Sequence, residues 1–551
     1  MDSWSYWLSH ESDVNAVIVR LLQLALGAAL VGLLRAWPRG ARDAVGVFLV
    51  TAFAVTHRLT WAPVLRNENQ HGWMAFSDVA CGQPIHDTYG FGYFALHTPF
   101  MGWFGAHLDT LLSVQMGVSA LTPWIVMSLA RGLGWSRSAS ALAGLMVAGN
   151  ELIARNGRSE DLLVPAIALL LLGVGRALAW FGPQDDDGAP VTASPMDAVA
   201  AIGSLVAATQ TRPEMVLLAP ALLLAAVLST PTARAGLLDP ARRRDHLVAA
   251  GLGAVWIALP LHNLLYKLTH GERTAAHTMF DAQGSFLTRL ANVGLPVGEV
   301  GNVLLVDAIV PLVVVVSAVA GLGALLWRRP AQGVALGLFW LLILRIWIPT
   351  QGTPEGAARL QHLPVLIACL LAGYGLGELG ARLLPAAGDR PPIVTVVVAV
   401  LLGGRAMPGG DSALSSNGVV AQRIALAGIK ELPDHSDVVL PLGDRVVNSS
   451  FLECEETLVA RDVRMVRMLP NDTFPTAAPG RPQIFWQGTP CWSFADAASA
   501  AGHTLRSECE AARQVCPLAF EGLDDTVPNR NLDIVTVPSD RVTFGFYACG
   551  P

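Results

Sequence analysis

Lysine is almost missing from this chain: Lys267 and Lys430 stand alone among 37 Lys and Arg residues. Charge of either sign is scarce too, at 15% of 551 residues, against about 25% in soluble domains. So few charges cannot clothe a surface of that size in water, which argues against an ordinary soluble globular chain. No Cys-x-x-Cys pair occurs, so a zinc cluster has no sequence support. A glycine-rich phosphate cradle is also missing; Gly443 and Asp444 after a short apolar run are too little to suggest a nucleotide loop. The formal net charge is −6, which gives nucleic acid no electrostatic attraction. The first residues, MDSWSYWLSHESD, are acidic and lack the basic segment of a secretory leader, so the apolar block Val14 to Trp37 is expected to be a retained span.

What the chain has in abundance is apolar sequence: 52% hydrophobic residues and a mean hydropathy of +0.46. The apolar residues come in blocks of roughly 17–25, the length a helix needs to cross a bilayer. About twelve spans are expected, near 14–36, 43–64, 108–130, 138–154, 161–181, 196–211, 214–230, 246–266, 302–326, 331–349, 363–384 and 392–407. Arginines in the short loops set the orientation. Arg35, Arg39 and Arg42, then Arg131 and Arg137, Arg234 and Arg242 to Arg244, Arg328 and Arg329, and Arg382 and Arg390 all fall on one side if the N-terminus is outside. The acidic loop from Gln184 to Pro195 runs against this pattern. Arginine in place of lysine, with excess Ala and Gly, reads as a GC-rich bacterial genome, which makes the expected location a bacterial inner membrane.

This topology divides the chain into a membrane part, residues 1–410, and an outer domain, residues 411–551. The outer side then holds Cys81, Cys454, Cys491, Cys509, Cys516 and Cys549, while Cys369 lies within a span. An even set in an oxidising compartment suits disulfides, and the sequence leaves their pairing open. The tail reads as α/β, with a helical stretch at Val419–Leu432, strands at Asp437–Leu442 and Gln483–Gln487, a helix at Phe494–Val515 and a hairpin over Leu532–Cys549 turning at Pro538.

Four polar segments fall at the outer ends of spans. Residues 66–92, RNENQHGWMAFSDVACGQPIHDTYGFG, carry Glu68, Asp78, Asp87, His71 and His86. Trp73, Met74, Phe76 and Val79 within it fit one face of an interfacial helix. Residues 150–161, NELIARNGRSED, bring Glu151, Arg155, Arg158, Glu160 and Asp161 to the membrane boundary, where ionisable groups must be solvated or paired. An anionic head group would explain the arginines; a wet loop of surface ion pairs is the plainer alternative. Residues 210–214, QTRPE, make a tight turn around Arg212. Residues 350–364, TQGTPEGAARLQHLP, place Arg359 and His362 about one helical turn apart, both able to donate to a phosphate.

These segments together resemble the GT-C glycosyltransferases. The run GQPIHDTYGFGYF at 82–94, ending in GWFG at 102–105, is similar to the first outer loop of the dolichyl-phosphate-mannose-type and lipopolysaccharide-core-type bacterial members. RSEDLL at 158–163, TRPEMVLLAP at 211–220 and ARLQHLP at 358–364 add to the likeness, which covers roughly residues 43–385. The resemblance implies a polytopic helical GT-C-like bundle and transfer of a sugar from a polyprenyl-phosphate donor to a hydroxyl of a glycan, lipid or protein, with inversion. It implies Glu68 as the base, with Asp78 or Asp161 in support, and Arg158, Arg212 and Arg359 on the departing phosphate. Asn67, His71, Asp87, Tyr89, Arg155, Glu160 and His362 complete the implied substrate-binding set. Asn67 stands where the family usually has an acid, which leaves Glu68 as the one carboxylate of that pair. A divalent cation would be able to bridge phosphate and acids, though no ligand cluster compels one. A multi-span carrier and a non-catalytic scaffold with an outer binding domain remain the alternatives. Spans nearly free of central charge and the lack of a clear internal repeat weigh against the carrier.

Overall fold

The computed structural model describes residues 11–38, 40–60, 91–105, 107–183, 192–212, 214–270, 312–347, 362–383, 434–441, 460–468, 483–487, 518–524 and 542–549. The helices are α1 (Glu11–Arg35), α2 (Ala41–Thr60), α3 (Gly92–Phe104), α4 (Leu108–Gly132), α5 (Arg137–Gly149), α6 (Glu151–Asn156) and α7 (Leu163–Phe181). They continue with α8 (Pro195–Thr211), α9 (Met215–Ser229), α10 (Pro231–Leu238), α11 (Arg243–His270), α12 (Leu312–Arg328), α13 (Pro330–Trp347) and α14 (His362–Leu383). A helix lies at each expected span except 392–407, which falls outside the described residues. Among the described residues five helices are long and apolar enough to cross a membrane, or up to six if a bent pair is one span. The chain is an integral membrane protein on that ground, and its fold is helical.

Sequence punctuation accounts for one departure from the expected spans and for a sharp turn just beyond another. The span expected at 138–154 breaks in two, because Asn150 leaves the helix and its Oδ1 accepts from the Ile153 amide, 3.1 Å away, to start α6. The chain also turns by 98° between α9 and α10, where Pro231 cannot continue the preceding ladder of hydrogen bonds.

The core lies among α4, α5, α7 and α14, and α8 packs on α7 and α1. The first turns of α14 are buried from Leu363 and Val365 through Ala372, and Trp135 meets Tyr374 with ring centroids 4.8 Å apart. Leu24, Leu34, Phe48, Leu49, Leu247, Val255, Val316 and Leu338 are exposed on the outer helices, an apolar belt that suits lipid.

The end of the bundle at Asp197 is fastened by polar side chains. Asp197 at the start of α8 accepts from Arg35 of α1 at 3.1 and 3.2 Å and from Arg176 of α7 at 3.3 Å. Arg176 also reaches Ser128 of α4 at 3.0 Å. Nearby, Arg329 donates to the carbonyls of Leu133 and Gly134, the latter at φ +75°, a conformation glycine adopts freely. Gln332 donates to Leu133 O and Thr230 Oγ1 and accepts from Trp135 Nε1. Arg35 and Arg329 of this cluster are among the loop arginines that set the expected orientation; the Asp197 and Gln332 partnerships were not foreseen.

In the tail, β1 (Asp437–Pro441), β2 (Arg464–Met468), β3 (Gln483–Gln487), β4 (Leu518–Asp524) and β5 (Val542–Cys549) form one sheet in the order β2-β1-β3-β5-β4. β1 runs parallel to β2 and β3, and β5 antiparallel to β3 and β4. β5 pairs with β3 on one edge and β4 on the other; the first arm and turn of the hairpin expected around Pro538 lie outside the described residues. The helices expected at 419–432 and 494–515 lie outside the described residues.

Candidate functional site

At the opposite end of the bundle, the end of α2, the α5–α6 break, the starts of α7 and α14, and the last turn of α8 come together. α3 enters this end through its glycine. A Cβ on Gly92 would lie against Thr211 Oγ1 and 2.7 Å from both the Ala207 carbonyl and the Thr211 amide. Only the missing side chain lets α3 sit this close to α8, and that closeness carries the next residue, Tyr93, inward. Tyr93 is buried; its hydroxyl donates to the Glu160 carbonyl at 3.1 Å and shares a hydrogen bond with the Gln115 side chain of α4. Burial pushes the phenol well above its ordinary pKa, with the Glu160 and Asp161 charges adding to the effect, so it stays a donor.

Glu160 and Asp161 are both buried. Asp161 Oδ1 accepts from the Leu163 amide at 2.9 Å, capping the start of α7, a place where a helix favours negative charge. Its Oδ2 is buried and has no hydrogen-bond partner among the described residues. Arg158 extends toward Met116 Sδ at 3.2 Å, and Arg155 lies in the last turn of α6. Asn156 Nδ2 donates to Nδ1 of His362, 3.1 Å away, and ties α6 to the first residue of α14; the other ring nitrogen, Nε2, then carries the proton of the neutral imidazole. Arg212, buried at the end of α8, pairs with Glu214 at 3.6 Å.

Of the residues singled out in the sequence, this end therefore gathers Arg155, Arg158, Glu160, Asp161, Arg212 and His362. Asn67, Glu68, His71, Asp78, Asp87, Tyr89 and Arg359 lie outside the described residues, as do Cys81, Cys454, Cys491, Cys509 and Cys516. Cys549 ends β5, and Cys369 is a buried thiol of α14. Among the described residues no group of three or more His, Cys, Asp and Glu gathers to hold a metal.

The sequence reading missed four residues here. Arg58, fully buried near the end of α2, donates from Nε to Ser119 Oγ at 2.7 Å and from NH1 to the Ala54 and Ala148 carbonyls. Ala148 O belongs to the negative end of α5, which favours a cation. His57 Nδ1 meets the same carbonyl at 2.9 Å. Together they hold the break that presents α6 and the acidic pair. The available signal was an arginine inside an apolar run, which is costly unless it serves a purpose. The other two are Gln115 and Gln210, both buried within apolar helices.

No protein-family profile matches the chain, and no curated protein sequence matches it. Solved structures do. ArnT from Cupriavidus metallidurans, in a crystal structure with undecaprenyl phosphate bound, matches with a TM-score of 0.54 at 14% identity over 92% of this chain and 99% of ArnT. The same protein in its apo state matches with a TM-score of 0.53 at 13% identity. The Archaeoglobus fulgidus oligosaccharyltransferase aligns more loosely, with a TM-score of 0.44 at 11% identity over 78% of this chain and 64% of the other. The GT-C resemblance drawn from the sequence thus holds as a likeness of fold.

Proposed function

We propose that this chain is an inverting glycosyltransferase that moves a sugar from a polyprenyl-phosphate donor to an acceptor hydroxyl. The observation that carries the reading is the match to ArnT over nearly the whole of both chains. Buried carboxylates and arginines gathered at one end of that fold suit the chemistry. The acceptor oxygen attacks the anomeric carbon as a carboxylate takes its proton. The bond from that carbon to the phosphate oxygen breaks, and the lipid phosphate leaves with the bonding electrons. Cations near the growing phosphate charge favour this step. Glu68 is the assigned base, with Asp161 or Asp78 in support, and Arg158, Arg212 and Arg359 are assigned to the phosphate. The reaction belongs on the outer face of a bacterial inner membrane, with the tail as an extracytoplasmic domain holding disulfides, and the bundle has about twelve spans. The sugar donor partner is lipid-linked, and the acceptor is a glycan, lipid or protein.

The test compares transfer from labelled polyprenyl-phosphate sugars by membranes holding the native chain or Glu68→Gln. Transfer by the native chain and loss of at least about a hundredfold in the variant is the expected result. Full activity in a folded Glu68→Gln protein would remove Glu68 from the mechanism.

A further inference from the structure

At the Asp197 end of the bundle, the segment from Pro231 to Val248 forms a platform beside the helices. α9 packs along α7 and α13, and the 98° turn after it lays α10 across their direction. α10 is clamped to the end of α7. A Cβ on Gly236 would run into the Phe181 carbonyl, and one on Gly182 would lie 2.6 Å from the Ala233 nitrogen. Arg242 donates to the Trp180 and Phe181 carbonyls at 2.6 and 3.1 Å, with its guanidinium 4.7 Å from the Trp180 ring centroid. His246 Nε2 donates to the Gly236 carbonyl at 3.0 Å and so ties the first turn of α11 to α10. Gln332 holds Thr230, at the start of α10, beside the junction of α12 and α13, where Trp327 is 85% exposed. An exposed tryptophan at a helix end belongs at the head-group level of a bilayer, and this contact sets α10 at the same level.

The clamp leaves two kinds of side chain outside. Arg234, Arg243 and Arg244 are exposed, and none of them enters an ion pair among the described residues. Leu238, Leu247 and Val248 are 66–71% exposed. Helical spacing sets the two kinds side by side: Arg234 with Leu238 on α10, and Arg243 with Leu247 and Arg244 with Val248 on α11, each four residues apart. From Arg234 to Asp245 four arginines stand against two aspartates, and Asp239 already accepts from the Ala241 amide at 2.9 Å. We propose that this platform binds anionic phospholipids, with its arginines on the head-group phosphates and its exposed leucines and valine against the acyl chains. The planar guanidinium fork suits a phosphate. A free phosphate would answer the arginines and leave the apolar side chains in water. A lipid without net charge would cover the apolar side chains and leave the positive charge uncompensated. An anionic amphiphile uses both.

The experiment titrates the full purified chain in an uncharged detergent with phosphatidylglycerol, phosphatidylcholine or inorganic phosphate and reads the melting temperature. Phosphatidylglycerol should raise the melting temperature of the native chain well beyond phosphatidylcholine, and inorganic phosphate should leave it unchanged. Arg234→Gln combined with Arg243→Gln and Arg244→Gln should melt like the native chain without lipid. It should need about tenfold or more phosphatidylglycerol for half of the rise, since each arginine near an anionic lipid surface is worth about fivefold in affinity. Leu238→Gln with Leu247→Gln should weaken the same response. Arg20→Gln with Arg382→Gln removes exposed arginines from other helices and should keep the native response. A native chain that does not prefer phosphatidylglycerol, or a platform variant that responds as the native chain does, would overturn the proposal. So would a loss in the Arg20 and Arg382 variant as large as that in the triple variant, which would trace the response to overall charge. A rise with inorganic phosphate equal to that with phosphatidylglycerol would reduce the platform to an anion site and reject the lipid. A triple variant that melts lower before any lipid is added would show that the arginines are held within the chain, as by Asp185, Asp186 and Asp187, and would overturn the proposal too.

Discussion

The two ends of the bundle bury the same kinds of side chain and treat them differently. At one end Gln332 has both amide atoms bonded, and both carboxylate oxygens of Asp197 accept from arginine. At the other, Gln210 has neither amide atom bonded among the described residues, and Asp161 uses one oxygen of two. Arg176 Nε and His246 Nδ1 are exceptions at the fastened end, buried without a partner among the described residues. The same sequence can thus satisfy one buried glutamine completely and leave another unbonded among the described residues. Completed networks hold helices in place, whereas open polar atoms are what a binding site presents before its ligand arrives.

The sharpest way to break this comparison is to exchange its acids. Asp197→Ala leaves Arg35 and Arg176 facing each other without their carboxylate, and should lower stability by about 3–5 kcal/mol, read from denaturation in detergent. Asp161→Asn should scarcely change stability, because the amide oxygen can still cap α7, while transfer falls by about a hundredfold or more. Equal losses of stability in the two variants would erase the distinction between the ends.

Two substitutions probe the packing behind it. Gly92→Ala pushes a methyl group into the Ala207 carbonyl and Thr211, and should cost about 1–3 kcal/mol while displacing Tyr93. Gln332→Leu strands the Trp135 indole and the Thr230 hydroxyl, and should cost about 1–3 kcal/mol, more than the same change at Gln210, whose amide has no partner among the described residues. Melting temperatures of the two glutamine variants, measured side by side, check the difference.

The smallest effect is in pH. His97 of α3 is buried against Tyr93, and burial pushes its pKa down to about 4. The unfolded chain takes up this proton near the ordinary value of about 6.5, before the folded one does. Stability is therefore complete above that value and declines as pH falls toward 4. Melting curves from pH 7 to pH 5 should show the decline, and His97→Gln should flatten it.

Much of the helical layout was legible because a bilayer leaves few choices. Apolar blocks of span length marked where the helices lie. The break at Asn150 escaped notice because an apolar window runs straight through it; only the cap to Ile153 shows the chain turning. The acidic pair at 160–161 and Arg212 were visible as charges beside apolar runs. Gln115, Gln210 and Arg58 were not, since a polar residue inside a span looks the same whether a neighbouring helix satisfies it or not.

By itself, then, the sequence determined that this chain enters a membrane, roughly where its helices begin and end, and which charges collect beside them, because hydrophobic length and helix stops are local properties. The tertiary structure alone decided which of the buried polar groups meet. Gly92 brings α3 onto α8, Asp197 draws two arginines from other helices, and Gln332 finds three partners in two loops, whereas Gln210 finds none among the described residues. Partnership across helices depends on how they pack, and no stretch of sequence carries that information alone.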